Sequence, residues 1–128
     1  MAVLAIAIQR GGTAKTTTAA ALTQAAAAEG RRVLAIDLDP QGNFSFSMAA
    51  DMNTRSSFDL IMGKTIAAMD IQRTPCGAYM IPASWNLSTL TTARGSANRL
   101  RRAIESLRSR YDLIIIDTPP TAGELQYN

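Results

Sequence analysis

Three short stretches hold the residue types that handle phosphate and a divalent cation. The first, Ala7-Ile8-Gln9-Arg10-Gly11-Gly12-Thr13-Ala14-Lys15-Thr16-Thr17-Thr18, follows an apolar run and opens a long alanine-rich segment. It reads as a strand, a tight turn and a helix start. Gly11 and Gly12 let backbone N–H groups turn toward an anion with no Cβ in the way, and the start of the next helix adds partial positive charge. Lys15 then brings a full charge to the β- and γ-phosphates, and the Thr16 hydroxyl is placed to meet Mg²⁺. The second stretch, Ile36-Asp37-Leu38-Asp39-Pro40-Gln41-Gly42-Asn43, puts two carboxylates just past a strand. Beside a phosphate loop, such a pair holds Mg²⁺ through water and orients an attacking water. The third, Tyr111-Asp112-Leu113-Ile114-Ile115-Ile116-Asp117-Thr118-Pro119-Pro120, ends four aliphatic residues in another acid. A buried strand with a carboxylate at its ligand end meets Mg²⁺ through water, and the two prolines stiffen a loop placed to sense the γ-phosphate.

These residues must be positioned by a layered fold. Ala2 to Ile8 is a nearly unbroken apolar run of strand length, the pattern of a parallel strand covered on both faces. A helix follows from Lys15 to Glu29, stopped by Gly30, and Val33 to Asp37 forms a second buried strand. This βαβ order implies a right-handed crossover, a parallel sheet, and ligands at the carboxyl ends of the strands. Phe44, Phe46, Met48 and Met52 are assigned to packing. Ser56 to Gly63 reads as a short helix with a serine cap and a glycine stop, followed by a second short helix from Thr65 to about Met69. Tyr79 to Ser84 reads as a third short strand ending in a loop.

Between Arg94 and Arg110 lie six arginines and one acid, Glu105. Leu100, Ala103, Ile104 and Leu107 recur at helical spacing, so Arg99, Arg101, Arg102 and Arg108 form the outer face of an amphipathic helix. The simpler reading is a solvated helix face, with a contact to a phosphate backbone as the alternative.

Composition sets the limits. The chain has 128 residues, 47% of them hydrophobic, enough for one globular domain or a part of one. Its many alanines and few aromatics suit close packing of helices on a sheet. A net charge of +3 does not by itself point to nucleic acid. The single cysteine, Cys76, excludes an intramolecular disulfide and a cysteine-cluster metal site, and the lack of histidine removes the commonest base and zinc ligand. A reducing cytoplasm is the default compartment. The apolar start lacks a basic leader and is cut off by Gln9-Arg10, so it reads as neither a signal peptide nor a membrane span.

The general Walker A pattern wants glycine where this chain has Gln9 and Ala14. The run Arg10-Gly11-Gly12-Thr13-Ala14-Lys15-Thr16-Thr17 instead resembles the deviant Walker A, Lys-Gly-Gly-x-Gly-Lys-Thr-Thr, of the ParA/MinD superfamily. Arg10 stands in place of the signature lysine that reaches the partner's nucleotide across a dimer, keeping the charge but on a planar fork. Ala14 stands in place of a glycine, and would be strained if the loop required positive φ there. The string Asp-Leu-Asp-Pro-Gln-Gly-Asn and the strand ending at Asp117 are similar to the two other signatures of ParA/Soj-type partition ATPases. Ile-Pro-Ala-Ser at 81–84 matches a further family string.

This resemblance implies a P-loop NTPase-type parallel sheet with flanking helices, of about four strands ordered third, second, fourth, first. It implies that residues 10–17 bind ATP, that Lys15 and Arg10 stabilise phosphate charge and that Thr16, Asp39 and Asp117 serve Mg²⁺. Asp39 would orient the hydrolytic water, and Asp37 would lie near the metal's outer shell. The implied activity is ATP binding and hydrolysis in segregation of a plasmid, chromosome or mobile element. The implied partners are a second copy in an ATP-dependent dimer, a ParB-type DNA-bound protein, and nonspecific DNA through a later half of the chain. A membrane partner is not expected, because the Asp-Leu-Asp-Pro-Gln-Gly-Asn string favours the partition branch over MinD-like proteins. The location would be cytoplasmic, on the nucleoid if the protein is full length.

Family members run to about twice this length, so the expectation is the N-terminal part of a single ATPase domain. The first strand would then be an edge with no charge or proline in Val3 to Ile8 to protect it. Two alternatives follow, a nonhydrolysing nucleotide-binding module and an interaction fragment that pairs with a full-length relative.

Overall fold

The computed structural model describes residues 2–6, 12–64, 66, 71–90 and 96–119. Five strands form one sheet: β1 (Ala2–Ile6), β2 (Val33–Asp37), β3 (Gln72–Arg73), β4 (Tyr79–Ile81) and β5 (Leu113–Asp117). Their order is β1-β5-β2-β4-β3. The four strands expected from the sequence are all parallel and in the expected order. The fifth, β3, adds antiparallel to β4 and was not anticipated. It has two residues, Gln72 and Arg73, and neither is apolar, so no hydrophobic pattern could announce it. Among the described strands β1 pairs only with β5 and forms one edge, as expected.

Alternation along the strands divides the core into two layers. Leu34 and Ile36 of β2, with Ile114 and Ile116 of β5, join Leu60, Ile61, Leu87, Leu100, Ile104 and Leu107 on one face. Val33, Ala35 and Ile115 point to the other face, against Ala19, Ala20, Ala26, Phe44 and Met48. Both faces are covered, which is why these strands read as continuous aliphatic runs.

Helix α1 (Gly12–Ala28) lies on the alanine-rich face. Small side chains there let helix and sheet approach closely. The helix begins three residues before the expected start at Lys15. Ala14 therefore sits in right-handed helical backbone, where alanine carries no strain. The helix ends as expected at Gly30, whose φ is +84°. There Gly30 N donates to Ala27 O and Arg31 N to Ala26 O, a Schellman closure.

Helix α2 (Asn43–Ser47) follows the acidic turn, and α3 (Ser57–Ile61) follows the Ser56 cap. Ser56 and Asp59 form a reciprocal capping box, and Gly63 closes the helix at φ +83°. The second short helix expected from Thr65 falls, except for Ile66, outside the described residues. Helix α4 (Ser96–Leu107) buries Leu100, Ile104 and Leu107, while Arg99, Arg101 and Arg102 face outward. Arg108 is half-buried and pairs with Glu105 at 3.0 Å. No helix among the described residues is long and apolar enough to cross a membrane.

The aromatic residues of α2 do not act alike. Phe44 is fully buried, whereas Phe46 is 84% exposed, so only the first serves the packing assigned to both. Phe44→Ala is expected to cost about 3–5 kcal/mol in urea unfolding, and Phe46→Ala no more than about 0.5 kcal/mol. Equal losses would contradict this orientation of α2.

Candidate functional site

The carboxyl ends of β2 and β5 meet the start of α1. Asp37 and Asp117 are register partners, each the last residue of its strand and each fully buried. Ile6 of β1 is the partner of Asp117 on its other side. The Thr16 hydroxyl, in the second turn of α1, donates to Asp117 Oδ2 at 3.4 Å. Thr16 is itself buried. The sheet thus brings together three oxygen-bearing side chains from the three motifs, which lie far apart in the chain.

Asp37 is the most heavily bonded of them. Its Oδ2 accepts from the Ser45 backbone N at 2.8 Å and from the Ser45 hydroxyl at 2.7 Å, and its Oδ1 accepts from Asp39 N at 3.0 Å. The Ser57 hydroxyl donates to the Asp37 carbonyl at 2.6 Å. Ser45 Oγ in turn accepts from Ala83 N at 2.9 Å, which ties the loop after β4 to the same point. Asp39 is buried at the turn, where its Oδ1 accepts from Gln41 N and its carbonyl from Gly42 N. Gly42 has φ +71°, which lets the chain turn into α2 so that Ser45 reaches back to β2.

Of the expected phosphate-binding residues, Arg10 and Gly11 lie outside the described residues. Gly12, Thr13, Ala14 and Lys15 are described as the first turn of α1 by backbone only. Thr16 follows them beside Asp117, and Thr17 is exposed. Pro119 follows β5 as expected, and Pro120 lies outside the described residues. Ser45 and Ser57 were not anticipated as parts of the site. A serine in the first turn of a helix that leaves a strand-end acid is a readable signal in hindsight. That its partner is Asp37 rather than its own helix depends on the path of the turn.

Burial pushes the Asp37 carboxyl up to about 7, and the neighbouring Asp117 charge adds to the rise. The Ser45 and Asp39 bonds oppose it. These oxygens are hard donors of the kind Mg²⁺ takes. A cation beside them would restore the charged forms that burial disfavours.

The folded chain therefore holds a proton on Asp37 that the unfolded chain releases near pH 4. Stability is lost as pH rises from about 4 to about 7 and is level above that, a total of up to about 4 kcal/mol at ~1.4 kcal/mol per pH unit. Asp37→Asn removes this component. In urea unfolding without nucleotide, the stability of the variant relative to the parent should rise by up to this amount between pH 4 and pH 8. Parallel pH profiles would contradict the assignment.

The comparisons with known proteins agree with the fold. The family model described as "AAA domain" matches residues 1–128. The chromosome partitioning protein ParA of Caulobacter vibrioides is 42% identical over 136 residues, covering 98% of this chain and 51% of that protein. The cobyrinic acid a,c-diamide synthase of Mycobacterium smegmatis, solved with bound ADP and magnesium, superposes with a TM-score of 0.84 at 36% identity, over 97% of this chain and 54% of that one. The structure of pNOB8 ParA bound to nonspecific DNA aligns with a TM-score of 0.75 at 27% identity, over 93% of this chain and 47% of that one. The chain spans about half the length of the curated relatives it matches. On this match the chain belongs to the AAA domain family of P-loop NTPases, with its homology among the ParA- and Soj-type partition ATPases.

Proposed function

We propose that this chain forms the ATP-binding and hydrolysing part of a partition protein that acts in the segregation of a plasmid, chromosome or mobile element. The observation that supports it best is the in-register pair of buried strand-end carboxylates, Asp37 and Asp117, with the Thr16 hydroxyl on Asp117 at the start of α1. Two buried acids side by side are costly alone and become favourable beside a cation.

In this reading the first turn of α1 faces the phosphates, where its backbone N–H groups and the helix dipole favour anions. Lys15 and Arg10 supply the cations for the phosphate oxygens. Thr16, Asp117 and, from the turn after β2, Asp39 are the residues that would hold Mg²⁺. Bound Mg²⁺ neutralises charge that develops on the phosphoryl group during transfer. Asp39 accepts a hydrogen bond from the attacking water and orients it, and its own carboxylate is held in place by Gln41 N. Asp37, fixed by Ser45, holds the turn and adds negative charge to the outer shell of the metal. The DNA named in the pNOB8 ParA structure and the partition role named for the Caulobacter protein support nonspecific DNA, a ParB-type partner and a second copy of the chain as partners.

Calorimetric titration of MgATP into the chain tests the nucleotide site. Lys15→Ala is expected to weaken binding by about 2 kcal/mol or more, roughly thirtyfold. Asp39→Ala is expected to keep the affinity and to slow phosphate release about a hundredfold. Binding that Lys15→Ala leaves untouched would overturn the phosphate assignment. Hydrolysis that survives Asp39→Ala would overturn the role of that acid, and nucleotide binding with no hydrolysis would favour the nonhydrolysing alternative.

A further inference from the structure

The strands also have an opposite end, about 16 Å away for five residues of strand, and it is basic. Arg31 and Arg32 stand just before β2, and Arg73 belongs to the edge strand β3. With Tyr79, Cys76 and Gly77 they line an open cleft of about 440 Å³ that contains no acidic residue.

The arginines there are held in a particular way. The Arg73 guanidinium lies 5.1 Å from the centre of the Tyr79 ring, and that of Arg32 lies 5.9 Å from the same ring and 6.0 Å from Tyr111. The two tyrosines meet edge to face at 5.6 Å, so the platform beneath the arginines is itself packed. A guanidinium held near a ring by cation–π attraction keeps N–H donors for another group. Neither Arg32 nor Arg73 forms an ion pair or a side-chain hydrogen bond among the described residues. Of the nearby carboxylates, Glu29 pairs with Arg31 of the cleft at 3.2 Å, and Asp112 accepts from the Arg32 backbone N at 2.9 Å, so neither guanidinium of Arg32 and Arg73 is ion-paired among the described residues. Two like charges near one ring, neither of them ion-paired, repel each other, and a multivalent anion in the same cleft would relieve the repulsion.

We propose that this cleft is a second phosphate-binding site, separate from the nucleotide site, in which Arg32 and Arg73 present their forks to phosphate oxygens while Arg31, paired with Glu29, stands at the rim. The forked donors of a guanidinium match the oxygens of phosphate. The volume of the cleft, about 440 Å³, admits more than one phosphate group, so the ligand is an oligophosphate or successive phosphates of a nucleic-acid backbone.

Cys76 is the sole cysteine of the chain, is exposed, and lines the cleft, so its alkylation reports on this site alone. The rate with neutral iodoacetamide is measured at low salt with sodium tripolyphosphate, with a short DNA duplex, or with sodium chloride at matched ionic strength. An anion at about four times its dissociation constant should slow alkylation about fivefold. Protection should persist in Lys15→Ala, which separates this site from the nucleotide loop, and vanish in the Arg32→Gln/Arg73→Gln double variant. If the double variant does not fold, Arg73→Gln alone, at the sheet edge, carries the comparison and should lose most of the protection. Protection by tripolyphosphate supports a free oligophosphate ligand, and protection by the duplex alone supports a nucleic-acid backbone. Protection equalled by sodium chloride, retained without Arg73, lost with Lys15, or absent with both phosphate ligands would overturn the proposal.

Discussion

A carboxylate shut away from water next to another carboxylate is the constraint on which the rest of this structure turns. Asp37 is fully buried beside Asp117, and the chain satisfies it with donors from α2 and from the turn at Asp39. Its carbonyl takes the Ser57 hydroxyl at the start of α3, and Ser45 passes the linkage on to the loop after β4. Four segments separated in sequence are therefore pinned to the end of one strand. A buried acid that lost these donors would carry its full desolvation cost, so the turn and its acid hold each other in place.

The two faces of the sheet divide the work. The side of α1 that packs on the sheet carries Ala19, Ala20, Thr23 and Ala26, all buried, which brings the helix close to β2 and β5. Close packing over its length fixes where the helix starts relative to the strand ends, and that places Thr16 against Asp117. The opposite face is filled by large aliphatic residues from α3, α4 and the strands, and it holds the larger of the two clusters of buried residues. One layer is built for position and the other for stability.

Much of this was legible in the residues. Val33 to Asp37 and Leu113 to Asp117 read as strands because they are short aliphatic runs covered on both faces, and each ends in an acid at its carboxyl end. The parallel order followed from the resemblance of three strings to one family. The edge strand β3 was not legible, because its two residues, Gln72 and Arg73, are polar and carry no apolar pattern. Ser45 was not legible as a partner of Asp37 because the contact depends on the left-handed turn at Gly42, which no local pattern specifies. The tyrosine-held arginines were invisible for the same reason: Arg32, Arg73, Tyr79 and Tyr111 meet only once the sheet is assembled. Residues that pack by pattern can be read from a sequence, whereas those joined across elements by a single polar contact cannot.

The central claim is that the paired acids at the ends of β2 and β5 belong to a Mg²⁺-nucleotide site. Carbon-13 NMR of the Asp37 side-chain carboxyl, titrated with pH in the free chain and again with MgATP, tests it most directly. The account predicts a midpoint near 7 in the free chain. With MgATP bound, that midpoint should fall toward the ordinary carboxylate range, because a cation beside the pair favours the charged form. A midpoint unmoved by saturating MgATP would contradict it, and would leave Asp37 as a structural tether with no part in the nucleotide site.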